Sequence, residues 1–297
     1  MELCAATRRD FLTGGAVVAL PLAGVVSAAS QPPPSAALLA GKTAVIYGAA
    51  GAMGGAVARA FAREGATVIL TGRNFDRVDA VAAEITASGG RAIAAGVDAL
   101  DRAAVEKHLG EVVRLHGGID VSFNLIGLGG RQGDPLVAMN VDDFSEAIVT
   151  AMRTHYLTAT AAARYMTARK SGVILALTAQ VARKPYVASG GFGVACAAIE
   201  GLWRQLAVEL GPAGIRLVTL RSSGSPDAPG VRSAVAEHAK VAGVTRETFE
   251  ARIAEKTMLR RMPLMAEIAN LAVLAASDRA SSLTAAVLNA TCGEIAD

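Results

Sequence analysis

The stretch Lys42–Ala60, KTAVIYGAAGAMGGAVARA, decides the fold. Thr43-Ala44-Val45-Ile46 is an apolar, β-branched run. A glycine-rich turn follows, Gly48-Ala49-Ala50-Gly51-Ala52-Met53-Gly54-Gly55. Small and apolar residues then recur at helical spacing in Ala56, Val57, Ala60 and Phe61. Strand, glycine turn and helix in that order place a dinucleotide's pyrophosphate on a helix N-terminus. There the unpaired N–H groups and the helix dipole favour an anion, and glycine lets the backbone come close. The flanking strand and helix turn a weak motif into a nucleotide-binding expectation.

Working outward, the N-terminal side carries more chain than one α/β domain needs. Arg8-Arg9-Asp10-Phe11-Leu12 precedes a mildly apolar run, Gly14 to Val26, then Ser27-Ala28-Ala29-Ser30. A basic start, a short apolar segment and small residues describe an export signal over 1–30, of the twin-arginine type. Residues 31–40, rich in Pro and Ala, read as a linker, and 41–297 as the domain. The apolar run is too short and too broken for a stable membrane span. The net charge of +3 is unclustered, and no basic stripe is interleaved with aromatics, which argues against nucleic acid. Three cysteines, Cys4, Cys196 and Cys292, make neither a disulfide framework nor a metal site.

On the C-terminal side, strands at 66–70, 91–97, 118–123, 172–177 and 215–220 alternate with helices at 75–88, 101–115, 142–170 and 192–210. That alternation predicts an α/β fold with a Rossmann-type doubly wound parallel sheet in three layers. The second strand ends at Thr71-Gly72-Arg73. An acid there would bond a ribose 2′-hydroxyl, whereas an arginine suits a 2′-phosphate, so Arg73 favours NADP(H) over NAD(H).

Here the chain resembles the short-chain dehydrogenase/reductase family from Gly41 to Gly293. Tyr47-Gly48-Ala49-Ala50-Gly51-Ala52-Met53-Gly54 stands where that family carries Thr-Gly-x-x-x-Gly-x-Gly, with Ala52 at the usual middle glycine. Asp98 matches its adenine-bordering aspartate, and Asn124 and Gly127 match the ends of its Asn-Asn-Ala-Gly. The resemblance implies a dinucleotide site formed by Gly48, Gly51, Met53, Gly54, Arg73, Asp98, Asn124 and Gly127. It also implies hydride transfer to or from a carbonyl carbon, and a homodimer or homotetramer.

The family moves its proton with a tyrosine and a lysine four residues on, aided by a serine and an asparagine. Ala197-Ala198-Ile199-Glu200-Gly201-Leu202 fixes the register without a gap. The tyrosine position is then Phe192, the lysine position Cys196, the serine position Ala179, and the asparagine position falls near Ala151. Phe donates no proton, and a thiol is neutral near pH 7 unless perturbed. Three residues are candidates to stand in: Tyr186 beside Lys184 and Arg183, His155 one turn along from Ala151, and Thr178 next to the serine position. Two functions remain open. One is an atypical NADP(H)-dependent oxidoreductase acting on a small carbonyl or enone, whose proton comes from water or Tyr186. The other is a catalytically silent dinucleotide-binding or scaffold protein.

Overall fold

The structure, a computed structural model, describes residues 37–296; the export-signal expectation and most of the proposed linker lie outside the described residues. The linker's last residues belong to the domain rather than preceding it. Leu39 is fully buried, and Leu38 and Leu39 donate to Glu64 through their backbone N–H groups.

Seven parallel strands lie in the order β3-β2-β1-β4-β5-β6-β7. They are β1 (Thr43–Tyr47), β2 (Thr67–Gly72), β3 (Arg91–Gly96), β4 (Val121–Asn124), β5 (Gly172–Ala179), β6 (Ile215–Ser222) and β7 (Ala286–Ala290). Between them run α1 (Ala52–Arg63), α2 (Phe75–Ala87), α3 (Arg102–His116), α4 (Val141–Arg169), α5 (Gly190–Leu210), α6 (Pro229–Val241), α7 (Arg246–Lys256) and α8 (Met265–Ala276). Residues of α1, α2 and α8 share one core layer with Ile46, Leu70 and Leu175. Residues of α3, α4 and α5 share the other with Val45, Ile69 and Ile174. With both faces covered, the central strands are continuous apolar runs rather than alternating ones, which is why the sequence shows TAVIY and GVILAL.

The structure departs from the sequence reading at a few boundaries, each for a local reason. β4 starts at Val121; just before it, the Asp120 side chain accepts from the Thr43 N–H at 2.8 Å and from Arg169 at 3.0 Å, tying the strand's start to β1 and the end of α4. Asp101 is the N-cap of α3, its carboxylate accepting from the N–H groups of Ala103 and Ala104. β5 continues through Thr178 and Ala179, since β6 stays in register with both. α4 runs unbroken, with Asn140 capping its start.

The strand order reverses between β1 and β4, and that point opens the crevice in which sheets of this type bind ligands.

Candidate functional site

The glycine turn leaves β1 on Gly48 at φ +73°. A Cβ at Gly48 would lie 2.6 Å from the Leu125 carbonyl oxygen, so the turn is pressed against the end of β4. A Cβ at Gly54 would run into the Gly48 carbonyl. Both glycines are therefore required by the turn's own closure. Gly51 is the N-cap of α1 and supplies no side chain, so the first-turn N–H groups of the helix carry no side-chain cap. Gly51 and Ala52 are exposed at the crevice, whereas the Met53 side chain packs into the core. This uncapped twelve-residue helix behind a glycine turn is the geometry that accepts a pyrophosphate.

Arg73 is exposed just past β2. Asn74 caps α2 by accepting from the Arg77 N–H at 3.0 Å. That cap sets Arg77 back over the glycine turn, its Nη2 reaching the Ala50 carbonyl at 3.5 Å. Arg77 was not singled out from the sequence; its place four residues after Arg73 at a helix start is the signal that could have found it. Asp98 is exposed and holds its own loop, accepting from the Leu100 N–H at 3.0 Å. Asn124 is buried; its Oδ1 accepts from the Ile126 N–H at 3.0 Å and its Nδ2 donates to Thr158 at 3.3 Å. Gly127 is exposed, with open space beside it.

On the other side of the crevice, Phe192 and Cys196 are one turn apart in the first turns of α5. Cys196 is buried with its thiol against the Ala179 backbone, and burial pushes its pKa up to about 12. It is a neutral thiol, not a nucleophile.

Two of the proposed stand-ins are buried and tied to neighbouring groups. His155 is fully buried: its Nδ1 lies 3.0 Å from the Ala151 carbonyl one turn back, and its ring meets Trp203 edge-on at 5.3 Å. Its Nε2 has no hydrogen-bond partner among the described residues, and burial lowers its pKa to about 4. It lies one turn along from Ala151, as expected, but its ring is enclosed against Trp203 of α5 and burial favours the neutral form. Thr178 donates to Glu200 at 2.9 Å, inside a buried cluster in which Arg221 grips both Glu200 oxygens at 2.9 and 2.8 Å. Its hydroxyl is thus committed behind the sheet edge.

Tyr186 differs from these two in standing partly exposed on the loop before α5. Its phenol feels both Cys196 and Glu294, and burial, with those two groups adding, raises its pKa to about 12. The expectation that neighbouring cations would make it more acidic is not met. Lys184 instead faces Glu294, its Nζ 3.6 Å from Oε1. The Tyr186 ring also meets His238 of α6 edge-on at 5.2 Å, and His238 Nε2 lies 3.1 Å from Gln132 Oε1. Gln132, His238 and Glu294 come from distant segments, so no local sequence pattern could have joined them to Tyr186. Among the described residues no His, Cys, Asp or Glu cluster could hold a metal ion, and no helix is long and apolar enough to cross a membrane.

Residues 48–294 match the family model described as Enoyl-(Acyl carrier protein) reductase. The chain is 32% identical over 254 residues to oxidoreductase UcpA of Salmonella typhimurium, covering 83% of this chain and 91% of that one. It is 28% identical over 253 residues to uncharacterized oxidoreductase MT0954 of Mycobacterium tuberculosis, covering 85% and 91%. Among solved structures, a 7α-hydroxysteroid dehydrogenase complexed with NADH and 7-oxo glycochenodeoxycholic acid superposes with a TM-score of 0.78 at 26% identity, over 90% of this chain and 99% of that one. An NAD+-bound xylitol dehydrogenase does so with a TM-score of 0.81 at 23% identity, over 86% and 99%.

Proposed function

The chain belongs to the short-chain dehydrogenase/reductase family, and we propose that it is an NADP(H)-dependent oxidoreductase that works without the family's tyrosine–lysine proton relay. The observation that carries the cofactor half is the pair of cations around the glycine turn. Arg73 is exposed beside the turn, and Arg77 reaches over it to Ala50. An acid in that place would repel a 2′-phosphate; two guanidiniums attract it. In this reading the first turn of α1 holds the pyrophosphate, Asp98 borders the adenine, and Asn124 and Gly127 line the path to the nicotinamide. The bound dinucleotide supplies the hydride.

The chain's own contribution to chemistry is positional. Phe192 and Cys196 occupy the relay positions; Phe192 has no ionisable group, and Cys196 keeps its thiol proton at neutral pH and carries no charge. Tyr186 stays protonated, so in this reading it donates a hydrogen bond to a substrate oxygen. A small carbonyl compound or an enone fits this arrangement. An enone accepts hydride at carbon and spreads the resulting charge before any proton is needed, and the matching family model is described as an enoyl reductase.

A second reading, a silent dinucleotide-binding protein, is favoured by the buried, unreactive thiol at Cys196. Export through a twin-arginine signal with the dinucleotide already bound is compatible with either.

Titration with NADPH and NADH, followed by nicotinamide fluorescence, tests the cofactor reading. Arg73→Ala and Arg77→Ala should each weaken NADPH by about tenfold and NADH by far less. Equal losses for both dinucleotides would remove the NADP preference. Tight NADPH binding with no consumption across a panel of carbonyls and enones would leave the silent reading.

A further inference from the structure

The strands are parallel, so the segments that leave β4, β5 and β6 all emerge at the sheet's carboxyl edge, on the side of the crevice. After β4 the chain runs through Gln132 and Gly133, after β5 through Tyr186 and Ala188, and after β6 into α6 and α7. The first two segments are tied to each other. The Gly133 N–H donates to the Ala188 carbonyl at 2.9 Å, and a Cβ on Gly190 would overlap the Arg131 carbonyl. His238 of α6 joins the third segment to both. Its Nε2 lies 3.1 Å from Gln132 Oε1, its ring meets Tyr186 edge-on with centroids 5.2 Å apart, and Phe249 of α7 stacks on it at 6.3 Å.

Little burial holds α6 and α7 in place. Only Val235 and Ala239 of α6 are buried, and no residue of α7 is. Gly224, at φ +88° just past β6, is the bend from which the pair leaves the sheet. A helix pair with so few buried side chains opens at low cost, so one residue can decide where it rests.

The place of His238 favours a neutral ring. The carboxylates on the segments around it are already paired: Asp134 with Arg131 beside Gln132, Glu294 with Lys184 on the Tyr186 loop, and Glu250 with Arg246 on α7. Arg183 adds a cation next to Lys184, and Arg252 follows Phe249 by three residues. Glu237, the neighbouring acid on α6 itself, is exposed. Water would solvate an imidazolium better than these rings do. Burial accordingly lowers the pKa of His238 below its ordinary 6.5, outweighing the opposite pull of Glu237.

We propose that His238 is a proton-operated clasp: its neutral ring holds α6 and α7 against the loops that follow β4 and β5, and its protonation releases the pair and opens the carboxyl edge of the sheet. With Nε2–H donating to Gln132, the proton comes from solvent and is taken by Nδ1. The closed arrangement binds that proton more weakly than the open one. Closure is therefore fullest above 6.5 and weakens as pH falls below it. Such a clasp gates entry whatever the chemistry inside, so it stands apart from the reductase reading.

Hydrogen exchange of the full-length protein, read by mass spectrometry at about pH 7.5 and about pH 5.5 and corrected for the intrinsic pH dependence of amide exchange, tests this. Peptides from α6 and α7 should be severalfold less protected at the lower pH, while β5 keeps its protection. His238→Gln, which stays neutral at both pH values, should remove the pH dependence. Gln132→Leu should lower the protection of α6 and α7 already at the higher pH. Protection of α6 and α7 that ignores pH, a pH dependence that survives His238→Gln, wild-type protection in Gln132→Leu, or an equal loss in β5 would each overturn the proposal.

Discussion

At the scale of single residues, burial decides what each candidate can do. His155 shows this directly. Its ordinary pKa of 6.5 falls to about 4 because the ring is enclosed against Trp203 with only Nδ1 bonded. The folded value is below the unfolded one, so between them the unfolded chain binds more protons. Stability contributed by the neutral ring is therefore complete above about pH 6.5 and drains away as pH falls toward 4, by about 3 kcal/mol in all. Thermal unfolding at pH 7.5 and pH 5 should show a drop in Tm that narrows in His155→Phe, which keeps the ring contact and loses the titration. An unchanged drop would mean that other groups govern the acid limb. The same rule separates residue type from what a side chain is free to do. His155 and Thr178 have the right chemistry, but His155 sits on the face of α4 that meets α5, and the Thr178 hydroxyl is spent on the Glu200–Arg221 pair.

At the scale of elements, α4 and α5 pack without room to spare. A Cβ on Gly191, at the start of α5, would overlap the Phe144 carbonyl of α4. Both partners are backbone, so neither can swing aside. Gly191→Ala should cost roughly 2–3 kcal/mol in denaturant-induced unfolding and displace the Tyr186 loop along with the helix. A near-neutral effect would show that α5 can slide. Elements of this kind were legible from the sequence because their signals are local. The apolar runs of β1 and β5 and the glycine turn before α1 each sit within a few consecutive residues. The places of the glycine turn, Arg73 and Asp98 were legible for the same reason, since each directly follows one of the consecutive strands β1, β2 and β3. The substrate half was not. Lys184 meets Glu294, and Gln132 meets His238, across loops whose spacing carries no periodicity.

At the scale of the whole molecule, the outer faces of α4 and α5 remain apolar after folding. Val141, Val149 and Tyr156 are exposed on α4, and Val194 and Val208 on α5. Val149 and Tyr156 stand two helical turns apart, so they share a face. A monomer gains nothing from such stripes, and family resemblance adds a dimer or tetramer. Sedimentation should report a self-associated species that Val149→Glu with Val208→Glu dissociates while the far-ultraviolet circular dichroism is kept. A wild-type monomer at micromolar concentration would refute this. The seating of Gly48 on Leu125 also orders events during synthesis. One side of the turn leaves the ribosome long before the other, by roughly 4–15 s at about 5–20 residues per second. Until β4 emerges, the glycine loop has no floor and cannot hold a nucleotide. A cofactor taken up by the nascent chain would thus lock an already assembled sheet rather than template its first half, and would act by slowing unfolding instead of hastening folding.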